Sequence, residues 1–261
     1  MKHLKSSYRD LQELFNNISV RYIAEPLTSF DLEANIPVVN SFMSEHDYDV
    51  VGVRQHGLVT GYVKGSELTS GTFADHVIKF LPSDLVDETT TLIEALRQMR
   101  DSPWLFVRTF GHVSGIVTRG DLQKAPVRMW LFGLVSLIEM QLLRIIREGY
   151  PNDSWKQFVS DKRLAKARGM HSDRQKENRA IDLADCLQFC DKQDIVLKSD
   201  MLQMRIGFTS TASNKRLFKE LEQLRNKLAH AQDIVTGCWP EIVDIAEAAE
   251  RLLEQCEKAK P

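Results

Sequence analysis

The sequence predicts an α+β chain in which two β-α-β-β-α repeats are followed by an all-helical bundle. Three observations predict it. The stretch VVGVRQHGLVTGYVKGSEL (50–68) recurs without a gap as WLFVRTFGHVSGIVTRGDL (104–122), an offset of 54 residues. After Asp121, strand-like runs give way to long segments of 3.6-residue periodicity with few Gly or Pro breaks. At 261 residues and 43% hydrophobic, the chain also has enough apolar material for two ordinary cores.

Composition narrows the function classes. The net charge of −2, from 34 basic and 36 acidic side chains, gives no global attraction to nucleic acid or to anionic membrane, so an anionic partner must be met locally. The charged start, MKHLKSSYRDLQELF, lacks the apolar run of a secretory signal, and a cytoplasmic protein is expected. Cys186, Cys190, Cys238 and Cys256 fit no two-pair zinc spacing; they read as small packing residues, with Cys186 and Cys190 on one helical face. No metal is expected.

Taken in order, residues 1–17 read as an N-terminal amphipathic helix, with the repeats at about 18–71 and 72–125. Between the copies Val53 matches Val107, Arg54 Arg108, Gly57 Gly111, Val59 Val113, Gly61 Gly115, Val63 Val117 and Leu68 Leu122. Each copy reads as a strand, a turn at Gly57 or Gly111, a second strand and a helix start. Upstream, DLEANIPVVNSFMSEH and LVDETTTLIEALRQMR carry helical periodicity, clearest in Leu92, Ile93, Leu96 and Met99.

The run HVSGIVTRGDL, in which a small hairpin leads to Gly-apolar-apolar-Thr and then an Asp opening a helix, resembles the CBS-domain pattern. Two such units over roughly 18–125 resemble a tandem CBS pair, or Bateman module. The resemblance implies an adenine nucleotide or related adenosyl ligand in the cleft between repeats, with phosphate on Thr118, ribose on Asp121 and added charge from Arg119. A helix start suits phosphate, because free N–H groups and the dipole converge there. Asp121 is equally suited to cap its own helix. The first copy departs from the pattern with Lys64, Gly65 and Glu67. Lys64 can reach a phosphate and Glu67 a ribose, or this site is degenerate or empty.

The joint LQKAPVRMW is short, Pro126 marks a helix boundary, and residues 126–261 read as helical. Helices are expected at 127–149, 154–168, 176–206, 213–231 and 240–257. The first holds MWLFGLVSLIEMQLLRII, interrupted by Glu139 and Arg144 before the ~20 apolar residues of a spanning helix, and reads as a buried helix or a dimer face rather than a membrane segment. Glu139 is expected in a satisfied buried pair, with a catalytic acid and a place in a dimer groove as the alternatives. Ser213 or Asn214 reads as a cap, Leu217, Leu221, Leu224 and Leu228 as an apolar stripe, and Pro240 as a first-turn residue.

Near the end of the penultimate helix stands RNKLAH, residues 225–230. A helical domain with Arg, a polar residue, and His at this spacing resembles the HEPN superfamily over about residues 127–257. The resemblance implies a metal-independent endoribonuclease acting as a homodimer, with Arg225, Asn226 and His230 as its site. Arg225 suits phosphate oxygens, His230 proton transfer, and Asn226 orientation of the ring or a phosphate oxygen. Arg225 and His230 lie about 140° apart on an ideal helix, so the arginine must curl across, the helix must end near Ala229, or a second copy must complete the site. An arginine and a histidine at a helix C-terminus also suit its dipole with no catalytic task.

The basic run Lys156, Lys162, Arg163, Lys166, Arg168, Arg174, Lys176 and Arg179 reads as a solvated face or as local positive surface for RNA. His171 reads as a loop residue. The expectation is a nucleotide-regulated endoribonuclease; the alternative is a catalytically silent nucleotide-sensing or dimerisation protein.

Overall fold

The computed structural model describes residues 8–177, 181–235 and 239–259. Leu14–Val127 form one compact unit, and the described residues on either side of that stretch form another. The chain begins its described part with α1 (Tyr8–Asn16); residues 1–7 of the helix expected at 1–17 lie outside the described residues.

The first unit contains β1 (Glu25–Pro26), β2 (Ser29–Asp31), α2 (Ile36–His46), β3 (Val50–Gln55) and β4 (Leu58–Lys64), then β5 (Ile78–Lys79), β6 (Leu85–Asp87), α3 (Leu92–Gln98), β7 (Trp104–Thr109) and β8 (His112–Thr118). They share an eight-stranded sheet of order β2-β3-β4-β8-β7-β6, with β1 on β8 and β5 on β4. In each copy a parallel pair precedes an antiparallel hairpin, and β4 meets β8 at Val59 and Val113, which are equivalent residues.

The repeated residues have repeated tasks. Arg54 donates to Asp31 at 3.0 Å and Arg108 to Asp87 at 2.9 Å, each tying the hairpin to its parallel neighbour. Gly57 and Gly111 both have φ +83 and follow residues of positive φ, His56 and Phe110, the backbone of a tight hairpin turn with right-handed strand twist. Gly61 and Gly115 let a short strand approach: a Cβ on Gly61 would lie 2.6 Å from the Ile78 carbonyl oxygen, and one on Gly115 3.1 Å from that of Glu25. The apolar periodicity of α3 holds, with Leu92, Ile93, Leu96 and Met99 buried.

Each repeat closes on a short 3-10 turn, Gly65–Glu67 or Gly120–Gln123, rather than on the expected α-helix. Leu68 and Lys124 leave helical geometry at once, with ψ 83 and ψ 152. The next helix is α4 (Ala125–Gly149), with Pro126 in its first turn as expected.

Beyond α4 come α5 (Asp161–Lys176), α6 (Phe189–Lys198), α7 (Asp200–Ile206), α8 (Thr211–Ala229) and α9 (Trp239–Lys258). The helix expected at 154–168 is instead a 3-10 segment, Pro151–Phe158, followed by α5, because Asn152 and Asp153 both adopt left-handed backbone and extended Ser160 restarts the chain. The helix expected at 176–206 is broken by a 3-10 turn at Leu183–Cys186 and by Ser199, whose hydroxyl accepts the Leu202 N–H and starts α7; residues 178–180 lie outside the described residues. Cys186 and Cys190 therefore do not share a helix. His171 lies within α5 rather than in a loop, its Nε2 hydrogen-bonded at 3.0 Å to the Ile181 carbonyl. Ser210, not Ser213 or Asn214, caps α8 by accepting the Ser213 N–H. In the stripe on α8, Leu221 and Leu224 are buried with Phe218, while Leu217 and Leu228 flank them half-buried.

Among the described residues α4 is long and apolar enough to cross a membrane by length and composition, and half of its apolar window is buried. The two charges inside its apolar run 129–146 are occupied within the helical unit. Glu139 accepts from the buried Lys192 ammonium at 2.7 Å, and Arg144 bonds Gln141, Glu148 and the Cys256 carbonyl. Met129, Phe132 and Met140 stay exposed on it. Burial raises the thiol pKa of Cys186, Cys190 and Cys256, the last to about 12; Cys238 lies outside the described residues.

Candidate functional site

Three places bring expected site residues together, two in the first unit and one in the helical unit. In the second repeat, β8 delivers Thr118 to the turn that carries Asp121. The carboxylate is 6% exposed, and its Oδ2 accepts the Thr118 N–H at 2.7 Å and the Thr118 hydroxyl at 3.0 Å. Its Oδ1 lies 2.7 Å from the Lys124 ammonium, which also donates to the Ile23 carbonyl at 2.7 Å and to Glu25 at 2.9 Å. Burial by itself lowers the Lys124 pKa, but the bonds to Asp121 and Glu25 outweigh it and leave the pKa raised. Asp121 is thus engaged by its own turn, and a ribose bound there would compete with Lys124. Arg119 is exposed beside it.

The first repeat borders an open cavity. A cavity of about 670 Å³ is lined by Asp47, Tyr48, Asp49, Lys64, Gly65 and Trp104, among others. Lys64 donates to Glu67 at 3.0 Å, and that bond raises its pKa above the ordinary lysine value. Lys64 and Glu67 are hence an exposed pair, with Lys64 facing the cavity. An ammonium, two carboxylates and two aromatic rings suit a ligand that combines a planar ring, hydroxyls and an anionic group. Tyr48 and Trp104 escaped the sequence reading. The available signal was a break in the repeat: Trp104 stands where the first copy has Val50, at the mouth of an otherwise apolar strand.

In the helical unit, α8 ends at Ala229, one of the three conditions set by the spacing of Arg225 and His230. His230 is the cap residue, its N–H donating to the Asn226 and Leu228 carbonyls. Arg225 Nη1 donates to Asn226 Oδ1 at 3.3 Å, and all three motif side chains are exposed. The turn then closes through the Ala231 N–H on the Leu228 carbonyl and the Gln232 N–H on the Lys227 carbonyl, with Ala231 at φ 52, a Schellman ending. Arg128, absent from the sequence reading, donates to the carbonyls of Gln232, Lys227 and Leu228 at 3.0, 3.3 and 3.2 Å. Nothing local in LQKAPVRMW signals that long-range contact.

Part of the basic run is neutralised: Lys156 pairs with Asp153, Arg163 with Asp191 and Lys176 with Asp173. Lys162, Lys166 and Arg168 are exposed on α5, and Arg179 lies outside the described residues.

The CBS domain family matches residues 82–128. Similar solved structures include the CBS domain of the bacterial CNNM/CorC family Mg2+ transporter in complex with ATP, at 19% identity and TM-score 0.37, covering 46% of this chain and 93% of that one. A CBS-pair protein from Arabidopsis thaliana aligns at 17% identity and TM-score 0.37, covering 43% and 96%. An uncharacterized conserved protein from Pyrococcus horikoshii aligns at 18% identity and TM-score 0.37, covering 41% and 89%. No curated protein matches the chain. The N-terminal half of the chain therefore carries a CBS domain, matched at residues 82–128.

Proposed function

We propose that this is a cytoplasmic nucleotide-sensing regulator with a ribonuclease output. The CBS-type module, over about residues 18–125, takes an adenosyl nucleotide. The helical domain, about 126–261 and of HEPN type, cleaves RNA as a homodimer without a metal. The observation that carries the sensing half is the cavity lined by Lys64, Tyr48 and Trp104 in a module whose second copy matches the CBS family. Phosphate meets Lys64, and the base meets an aromatic face. Thr118, Arg119 and Asp121 form the second site, which opens when Lys124 releases the carboxylate.

In the catalytic half, the 2′-hydroxyl of RNA attacks the adjacent phosphate and the 5′-oxygen leaves. Arg225 stabilises the added negative charge, His230 moves a proton, and Asn226 orients the ring or a phosphate oxygen. The exposed residues Met129, Phe132 and Met140 on α4 form the face that meets the second copy. Asp121 and Arg128 are seven residues apart with no flexible spacer, so a ligand that moves Asp121 acts on the start of α4.

A specific observation favours a second reading. His230 occupies a complete Schellman ending, where a polar residue serves the helix terminus alone, and the helical domain is then a silent dimerisation module.

Calorimetric titration with ATP, AMP and S-adenosylmethionine tests the sensor, and no heat from any of them removes it. Cleavage of labelled single-stranded RNA in excess chelator, beside His230→Ala, tests the output. Cyclic-phosphate ends lost in the variant support the ribonuclease; equal silence of wild type and variant leaves the dimerisation module.

A further inference from the structure

The guanidinium of Arg128 closes the end of α8. Its three bonds reach the carbonyls of Lys227 and Leu228, which lie in the last turn of that helix, and of Gln232, which follows the turn. These carbonyls bracket His230, and the cation also sits at the negative pole of α8. The N–H groups of His230, Ala231 and Gln232 themselves bond backbone within α8. Ala231 holds φ 52, a conformation disfavoured for a side chain with a Cβ, so the ending carries strain that bonds from outside the helix can offset. Arg128 supplies three long-range hydrogen bonds to it.

We propose that Arg128 is the positioning residue of the Arg225–His230 motif, fixing the turn that aims the imidazole; this rests on the ribonuclease reading for its catalytic consequence. Arg128 touches no reacting atom. It acts by holding the backbone on both sides of His230, where a displacement of about 1 Å is enough to cost a large part of the rate.

The experiment uses the full chain with Arg128→Met and Arg128→Lys, beside His230→Ala. For RNA cleavage, Arg128→Met should lower kcat about tenfold with KM changed less than about twofold, since alignment rather than RNA binding is lost. Arg128→Lys, which keeps the charge and can reach a carbonyl, should recover most of that loss. A fall confined to KM, or a wild-type kcat in Arg128→Met, overturns the proposal.

Amide hydrogen exchange of Ala231 and Gln232 gives a second readout that needs no activity. It should accelerate at least about tenfold in Arg128→Met while Leu221 and Leu224, in the same helix, keep their protection. If wild type cleaves no RNA but this local acceleration appears, the ribonuclease reading fails and the positioning of the turn stands. If exchange at 231–232 is unchanged, Arg128 does not hold the turn and the inference fails. Should Arg128→Met not fold, the same exchange and kinetic comparisons are made on Arg128→Gln, where faster exchange at 231–232 with a lowered kcat supports the proposal and unchanged exchange overturns it.

Discussion

Lys124 holds its ammonium 2.7 Å from Oδ1 of Asp121, so the residue that CBS-type recognition would offer to a ribose is joined to a cation of its own chain. The other carboxylate oxygen accepts two bonds from Thr118. Asp121→Ala removes all of these at a nearly buried position and should cost about 2–3 kcal/mol. Lys124→Met leaves the Thr118 bonds intact and should cost about 1–2 kcal/mol. Urea midpoints at unchanged m-value measure both, and a reversed order would show that Lys124, not Asp121, organises the turn.

Alkaline pH should weaken the fold, and Lys124 and Cys256 are two of the groups through which it acts. The Lys124 pKa is raised, so its contribution is present below the unfolded value of 10.5 and is lost as pH rises through the folded value. Burial raises the Cys256 thiol from 9.0 to about 12, so between those values the unfolded chain gives up a proton that the folded chain keeps. Stability therefore falls from about pH 9 upward. Cys256→Ala should flatten the first part of that slope, and Lys124→Met the part above it. A flat wild-type profile from pH 8 to 11 would contradict both assignments.

The repeat was legible because several matched residues do the same local task twice. Arg54 and Arg108 pair with Asp31 and Asp87, Gly57 and Gly111 turn, and Gly61 and Gly115 admit a neighbouring strand. Such tasks leave fixed spacings in the text. The helical unit was legible in its long amphipathic helices and not at its breaks, because Asn152 and Asp153 take left-handed backbone that no apolar period reports. The two functional gaps have the same origin. Trp104 reaches its cavity from the second repeat, and Arg128 reaches α8 across about a hundred residues of sequence. Contacts of that range carry no period of 2 or 3.6.

The two glycine pairs separate backbone strain from collision. Gly111→Ala meets nothing within 4 Å, so its cost is the positive φ alone, about 1 kcal/mol. Gly61→Ala drives a Cβ to 2.6 Å from a backbone oxygen of β5, where no side chain can give way, and should cost more than about 2 kcal/mol. Thermal unfolding of the two variants would rank them, and equal losses would mean that β5 leaves β4 at little cost.

The cavity assignment predicts which side chains govern ligand affinity. Lys64→Met removes a cation that lines the cavity and should weaken ATP binding about tenfold, with the effect shrinking as salt rises. Trp104→Ala should weaken ATP and adenosine alike, because a stacking surface is indifferent to phosphate. Thr118→Val tests the other repeat, and a larger loss there than for Lys64→Met would move the principal site to Asp121. Calorimetry at two salt concentrations distinguishes these outcomes.

Lys192 and Glu139 form an unequal pair: the lysine side chain is 6% exposed, the glutamate 28%. Glu139→Leu leaves the nearly buried ammonium without its acceptor and should cost about 3–4 kcal/mol. Lys192→Met leaves a carboxylate that can still turn toward solvent, and should cost about 2 kcal/mol or less. Replacing both, Lys192→Met with Glu139→Leu, should recover most of either loss, since no charge is left unpaired. That recovery distinguishes a structural pair from a catalytic acid on α4. If RNA cleavage is present in wild type, persists in Lys192→Met and vanishes in the stable double variant, Glu139 belongs to the reaction; if cleavage persists in the double variant, its place is the core of the helical unit.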